Sequence, residues 1–116
     1  MSENKSANDK TALLAVIDVM QEPDKTISKR LHAIISENAP DLEPRTWYGM
    51  PAYSKDGKVF CFFRSTQKFN ERYMTLGFND IANLDEGNIW PITFAVKDLN
   101  EADEAKIAEI IKKSIT

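Results

Sequence analysis

Aromatic side chains are the residues of this sequence best suited to hold a ligand. Trp47 and Tyr48 stand just before Gly49, and a phenylalanine-rich run at 60–63 follows soon after. Aromatic rings offer a large apolar contact area, which suits a flat ligand or an apolar chain, and methionine adds adaptable packing. The residues expected to line this surface are Trp47, Tyr48, Met50, Tyr53, Phe62 and Trp90.

Catalytic side chains are sparse by comparison. The chain has one cysteine, Cys61, and one histidine, His32, and neither stands in the spacing of a metal site. Cys61 lies among phenylalanines, where apolar surroundings disfavour the thiolate that a nucleophile needs. Because no catalytic constellation is recognisable, we expect a protein that is not an enzyme and uses no cofactor.

Carboxylates offer an alternative site. Acids crowd the segment 80–86 and the start of the last predicted helix, and their hard oxygens suit iron, calcium or magnesium. Acids at a helix N-terminus are also favoured by the helix dipole when no metal is bound. The residues of this alternative metal site are Asp80, Asp85, Glu86, Asp98 and Glu101.

Charge gives little support for a nucleic-acid partner. Arg64, Lys68 and Arg72 form a local basic excess, with Phe69 and Tyr73 among them, of the kind that holds a phosphate or a single strand. The whole chain, however, has 15 Lys and Arg against 18 Asp and Glu, and three cations on an acidic domain are more often a solvated turn. Neither nucleic acid nor membrane is expected as a partner.

Length and composition predict one domain. The 116 residues, 42% of them hydrophobic, suffice for a single core. Residues 1–8 lack an apolar period, so we expect a disordered tail followed by a domain at 9–116. A lone cysteine and a start without a secretion signal favour the cytoplasm, and no apolar run approaches the length of a membrane span.

Periodicity predicts the elements that must position these residues. Apolar residues recur at helical spacing over 9–20 and over 24–38, where Asp24 is the expected N-cap, and a third helix follows Asn100. The first expected strand begins at Thr46. Further strands are expected over 52–55, 58–63, 73–78 and 89–96. The order predicts a two-layer α+β fold, with an antiparallel sheet of four to five strands, two N-terminal helices and one C-terminal helix.

Two turns and a proline refine this pattern. Residues 40–46 are expected to be a surface connector, and Gly49 and Pro51 to kink the chain around Met50. Asp56-Gly57 predicts a tight hairpin. Pro91 should lie at the start of its strand or on a sheet edge, because proline cannot donate to a ladder.

The run at 59–63 is apolar on both faces if it forms a regular strand. Phe60 and Phe62 would share one face, and Val59, Cys61 and Phe63 the other. Since helices cover one face of a two-layer fold, the second face needs its own cover. That cover is the 79–88 loop, the segment at 47–53 or a second subunit in a homodimer; otherwise the face is an open aromatic groove.

The segment 47–53, followed by the hairpin at 55–58, resembles the signature of the YdhG-like bacterial family of unknown function. Further similarity lies at 76–78, at 87–91 and in the closing helix, so the resemblance covers about residues 9–115. It implies a small cytoplasmic α+β domain that is compared in fold with frataxin. At least one relative is described as an intracellular iron chaperone for iron–sulfur or haem assembly.

These observations lead to three candidate functions. The first is a cytoplasmic binding module that holds a small molecule or protein partner on its aromatic surface. The second is a frataxin-like iron chaperone, although the acidic ridge of that type is thin here, with only Asp9 and Asp18 on the first helix. The third is a dimeric or adaptor subunit that buries the two-faced strand.

Overall fold

Five antiparallel strands form one sheet in which each strand pairs with the next along the chain, and three helices complete a two-layer α+β fold. The computed structural model describes residues 2–116. The elements are α1 (Ser2–Asp18), α2 (Asp24–Asn38), β1 (Glu43–Trp47), β2 (Met50–Lys55), β3 (Lys58–Arg64), β4 (Met74–Phe78), β5 (Thr93–Val96) and α3 (Glu101–Ser114). The predicted fold class is confirmed.

α1 begins at Ser2, well before the expected start at Asp9. Its apolar stripe does begin later, since Leu13 and Ile17 are buried and the residues at 7–12 are mostly exposed. A helix can extend beyond its packed face through polar residues, and hydrophobic periodicity does not detect such an extension.

The predicted cap of α2 is wrong. The buried Asp24 carboxylate accepts hydrogen bonds from Thr66 N at 2.9 Å and Thr66 Oγ1 at 2.7 Å, on the loop after β3. Glu22 instead accepts the helical Thr26 N–H, at 2.8 Å, and hydrogen bonds from Thr26 lower the pKa of Glu22. Asp24 therefore ties α2 to the β3–β4 loop.

The predicted cap of α3 is confirmed. The Asn100 side chain accepts from Asp103 N at 2.8 Å, and the Asp103 carboxylate accepts from Asn100 N at 3.0 Å, which completes a capping box. On the first turn of this helix, Glu104 also pairs with Arg30 of α2.

The segment expected to be a connector and a kink is a β-hairpin. β1 covers most of the predicted connector, and Trp47 pairs with Met50 across a two-residue turn. Tyr48 and Gly49 form that turn with φ of 50° and 73°, the left-handed conformation that a type I′ turn requires. The predicted Asp56-Gly57 hairpin is confirmed, with φ of 52° and 80°.

One edge strand contains a proline, and another proline lies shortly before the other edge strand. Pro44 lies within β1, an outer strand, where a missing N–H need not break a ladder. β5, the other outer strand, begins at Thr93 rather than at the expected residue 89, after Pro91. Pro91 therefore lies outside the strand, two residues before its start, so the expectation that it begins the strand or occupies a sheet edge is wrong, and the segment before β5 is irregular.

A β-bulge changes the faces of β3. Tyr53 pairs with Cys61 and Ser54 pairs with Val59, so Phe60 is an extra residue without a partner on β2. Phe60 belongs to the same buried cluster as Cys61, at 1% exposure. The prediction that Phe60 and Phe62 share a face is therefore wrong.

Candidate functional site

The helix-free face of the sheet carries the exposed aromatic residues. The Tyr53 hydroxyl meets His32 of α2, so Tyr53 faces the helices and its neighbour Ala52 faces the other side. Ala52 pairs with Phe62, and Phe62 pairs with Gly77. Phe62 therefore lies on the face that the helix layer leaves uncovered.

Three of the six predicted ligand-binding residues meet on this face. The Trp47 ring lies 5.2 Å from the Phe62 ring and 5.1 Å from the Tyr48 ring, measured between centroids. Trp47 and Phe62 are each partly buried, whereas Tyr48, on the β1–β2 turn, is 79% exposed. We refer to Trp47, Tyr48 and Phe62 as the aromatic platform.

Gly77 lets the Phe62 ring lie close against the sheet. A Cβ on Gly77 would lie 2.5 Å from Phe62 Cζ, so no other residue fits under the ring where it stands. An aromatic residue opposite a glycine commonly shields the bare backbone in this way. The distal end of the ring thus covers Gly77, and part of Phe62 stays exposed next to Trp47.

A shallow groove of about 620 Å³ begins at the platform. Trp47 and Arg45 of β1 lie on one side, residues 79–81 after β4 on the other side, and Val59 and Lys58 of β3 between them. The Asn79 side-chain amide donates to Val59 O at 3.0 Å, which fixes that side relative to β3. The groove and the platform share the Trp47 indole.

Tyr53 does not belong to this surface. It is 1% exposed within the core, and its hydroxyl lies 2.7 Å from His32 Nδ1. Burial raises the pKa of Tyr53 well above its ordinary value, and it lowers that of His32, with a smaller contribution from the charge of Lys10.

Cys61, opposite Tyr53, has no exposed surface. Burial raises the pKa of its thiol far above the ordinary value, so the thiolate is strongly disfavoured. His32, Tyr53 and Cys61 are thus neighbours across α2, β2 and β3, but the thiol is protonated and inaccessible to a substrate.

Met50 pairs with Trp47 beside the β1–β2 turn, yet it lines a different cavity from the groove. A cleft of about 220 Å³ separates this turn from the end of α1 and from the β3–β4 loop, and Met20 and Phe69 also line it. Lys68 Nζ donates to Gly49 O at 3.3 Å at its rim. Met50 is 6% exposed, so it serves chiefly as packing.

Trp90 is separated from the platform as well. It packs against the core from the segment before β5. A depression of about 430 Å³ in front of it includes Asp80, Asp85 and the exposed Ile89. The six predicted residues are therefore spread over the platform, the core, the Met50 cleft and the Trp90 depression.

The acids of the alternative metal site are also spread apart or already in use. Asp98 accepts from its neighbour Leu99 N at 2.8 Å, and Glu86 pairs with Lys113 at 3.4 Å. Asp80 and Asp85 line the Trp90 depression, and Glu101 opens α3. Within the part of the chain that the structure describes, no three His, Cys, Asp or Glu side chains converge as metal ligands.

Two residues of the local basic excess, Arg64 at the end of β3 and Arg72 in the β3–β4 loop, lie over aromatic rings. The Arg64 guanidinium lies 5.6 Å from the Phe69 ring centroid and that of Arg72 lies 5.5 Å from the Tyr73 centroid, both within cation–π range. Arg64 also pairs with Glu71 at 3.4 Å. Arg64 and Arg72, two of the three cations in the local basic excess, therefore already have partners within the protein.

Sequence reasoning missed three residues of this surface: Arg45, Lys58 and Gly77. The groove places Arg45 and Lys58 together although they belong to different strands. Gly77 is significant because it pairs with Phe62. Only the strand register reveals these relationships. The Asp56-Gly57 turn sets the β2–β3 register as far as the bulge at Phe60, and no two-residue turn joins β3 to β4.

Comparison with protein-family models, curated proteins and solved structures finds no match to this chain. The YdhG-like family and its frataxin-like relatives therefore stay a prediction. Among residues 2–116, no helix combines the length and the apolar character needed to cross a bilayer.

Proposed function

We propose that this protein is a binding module that holds a small planar aromatic ligand on its aromatic platform and the adjoining groove. The observation that carries this proposal is the contact of two partly exposed rings, Trp47 and Phe62, 5.2 Å apart on the helix-free face of the sheet. Ring surface left in water on a rigid sheet is a ready partner for another flat apolar molecule.

The scaffold around the platform is well suited to this role. Strand pairing holds the two rings, since Phe62 pairs with Ala52 and Gly77 on its two sides and Trp47, on the outer strand, pairs with Met50. Binding residues on strands lose less conformational freedom on association than residues on mobile loops. Tyr48 is the exception, because it lies on the turn and can adjust to the ligand.

Binding rather than conversion is the better interpretation of the residues at this surface. The groove is lined by Arg45, Trp47, Gly57, Lys58, Val59, Asn79, Asp80 and Ile81. A thiol or imidazole is not among these lining residues, and Cys61 and His32 lie on the opposite face of the sheet. Ring stacking and charge are what these side chains can supply.

Fluorescence tests the proposal directly. In a Trp90→Phe background, Trp47 is the one indole, so energy transfer from it reports on a dye bound nearby. The uncharged probe N-phenyl-1-naphthylamine should bind and quench this indole. Removing one stacking ring, in Tyr48→Ala, should weaken binding about fivefold.

Tyr73→Ala is the matched control, because Tyr73 is also an exposed tyrosine but stacks on Arg72 rather than on Trp47. Its affinity for the probe should equal that of the parent. Equal losses in the two variants, or no binding by folded parent protein, would refute the platform as a ligand site.

A further inference from the structure

The charges that line the groove indicate which planar ligands it takes. The chain as a whole has a net charge of −3, yet the groove next to Trp47 is lined by two cations, Arg45 and Lys58, and by one acid, Asp80. The local sign is thus opposite to that of the protein. Such a reversal at a concave site concentrates ligands of the complementary sign.

Within residues 7–116, neither cation is neutralised by an acid. Neither Arg45 nor Lys58 forms an ion pair with any side chain among residues 7–116. Arg45 Nε donates to Thr46 O at 3.2 Å, which holds the guanidinium beside β1, and the rest of its donor fork meets no acceptor among residues 7–116. A guanidinium fork matches the oxygen pairs of carboxylates, sulfonates and phosphates.

We infer that the groove selects planar aromatic anions, with the ring system against Trp47 and the acidic group near Arg45 and Lys58. This inference rests on the proposed function, because it takes the platform as the place where the ring stacks. The shared chemistry is an aromatic ring that bears a carboxylate, sulfonate or phosphate. Asp80 lines the side of the groove opposite Arg45, and its charge disfavours a second negative group on the part of the ligand that lies near it.

Two probes with the same rings separate charge from stacking. 1-Anilinonaphthalene-8-sulfonate carries one sulfonate, and N-phenyl-1-naphthylamine is the same ring system without it. We expect the sulfonate to bind the Trp90→Phe protein more tightly than the uncharged probe, with a difference of about fivefold for each cation that lies about 4 Å from the anion. Benzoate and phenyl phosphate, as competitors, distinguish a carboxylate from a phosphate preference.

Substitutions assign the charge effect to residues. Arg45→Gln and Lys58→Gln should each weaken sulfonate binding about fivefold and leave the uncharged probe within twofold. Lys112→Gln, an exposed lysine on α3, is the control and should change neither. Higher salt should reduce the advantage of the sulfonate in the parent and not in the double glutamine variant.

The outcomes separate the two proposals. Equal affinity for both probes, or sulfonate binding that Arg45→Gln and Lys58→Gln do not alter, overturns the charge inference and leaves the platform intact. Failure of both probes to bind folded protein overturns the platform and the inference together. Sulfonate binding that persists in full when Tyr48→Ala is combined with Trp47→Leu places the dye elsewhere and also overturns the inference.

Discussion

The two faces of the sheet use the same aromatic residue types for different purposes. On the helix side, Phe60, Phe63 and Phe78 are at most 2% exposed, in one cluster with apolar residues of α1 and α2. On the other side, Trp47 and Phe62 touch each other but are only partly buried. Rings on the first face stabilise the fold, and rings on the second remain available to a ligand.

The difference between the two faces arises from which face the helices cover and from the register of the strands, rather than from residue composition. Phe62 and Phe63 are adjacent residues of one strand, and alternation sends them to opposite faces. The helices complete the surroundings of Phe63, whereas Phe62 has a neighbour on β1 and Gly77 beneath it. Residue type alone is therefore a poor guide to function in this strand.

The largest expected effect that tests this contrast comes from the adjacent phenylalanines. Phe63→Ala should lower the free energy of unfolding by about 3–5 kcal/mol, because it leaves a cavity in a closed core. Phe62→Ala should lower it by about 1–2 kcal/mol, since a partly exposed ring loses less buried area. Urea unfolding followed by circular dichroism measures both, and losses of equal size would remove the distinction between the faces.

A smaller loss of stability is expected from a substitution at Gly77, beneath the Phe62 ring. Gly77→Ala should lower the free energy of unfolding by about 1–3 kcal/mol, because the new Cβ collides with the Phe62 ring, 2.5 Å away. The displaced ring should also weaken binding of N-phenyl-1-naphthylamine.

A double variant tests the cause of that loss. Combining Gly77→Ala with Phe62→Ala removes the colliding ring, so the two destabilising effects should sum to less than their separate values. Strict additivity in urea unfolding would show that the cost of the alanine comes from the backbone instead.

The smallest expected effect is a dependence of stability on pH, caused by His32 on the helix side of the sheet. The pKa of His32 is lowered in the folded state by burial and then by the charge of Lys10. The unfolded state therefore binds more protons as pH falls below about 6.5, and stability should decrease from there toward the lower folded pKa. Well above pH 6.5, His32 is neutral in both the folded and the unfolded state, and its burial carries no protonation penalty.

Urea midpoints at pH 7.5 and 5.5 measure this dependence, and His32→Asn should reduce the difference between them. Probe binding at the platform should not follow the same titration, because His32 contacts Tyr53 on the opposite face. A platform affinity that changes with the protonation of His32 would show that the two faces are coupled.

Local patterns predicted the elements better than their pairing. The spacing of apolar residues located the helices, and Asn100 and Asp56-Gly57 were identified correctly because caps and tight turns depend on a few consecutive residues. The β1–β2 hairpin was missed, since prolines and charges in β1 mask its strand character. Asp24 was misassigned because its partner Thr66 is remote in sequence.

The candidate site was predicted in part for the same reason. Trp47, Tyr48 and Phe62 were named correctly as neighbours, but Tyr53 alternates to the other face, and Met50 and Trp90 lie in separate cavities. Periodicity indicates that a strand has two faces. It does not say which face the helices cover.

By itself, the sequence determined the three helices, the antiparallel α+β class and the aromatic character of the central strands, because these depend on short-range spacing and backbone preference. Only the tertiary structure decided which rings are enclosed. The bulge at Phe60, the pairing of Phe62 with Gly77 and the presence of Arg45 and Lys58 at one groove all depend on strand register. Register is a relation between distant segments, and the packing of the whole domain selects it.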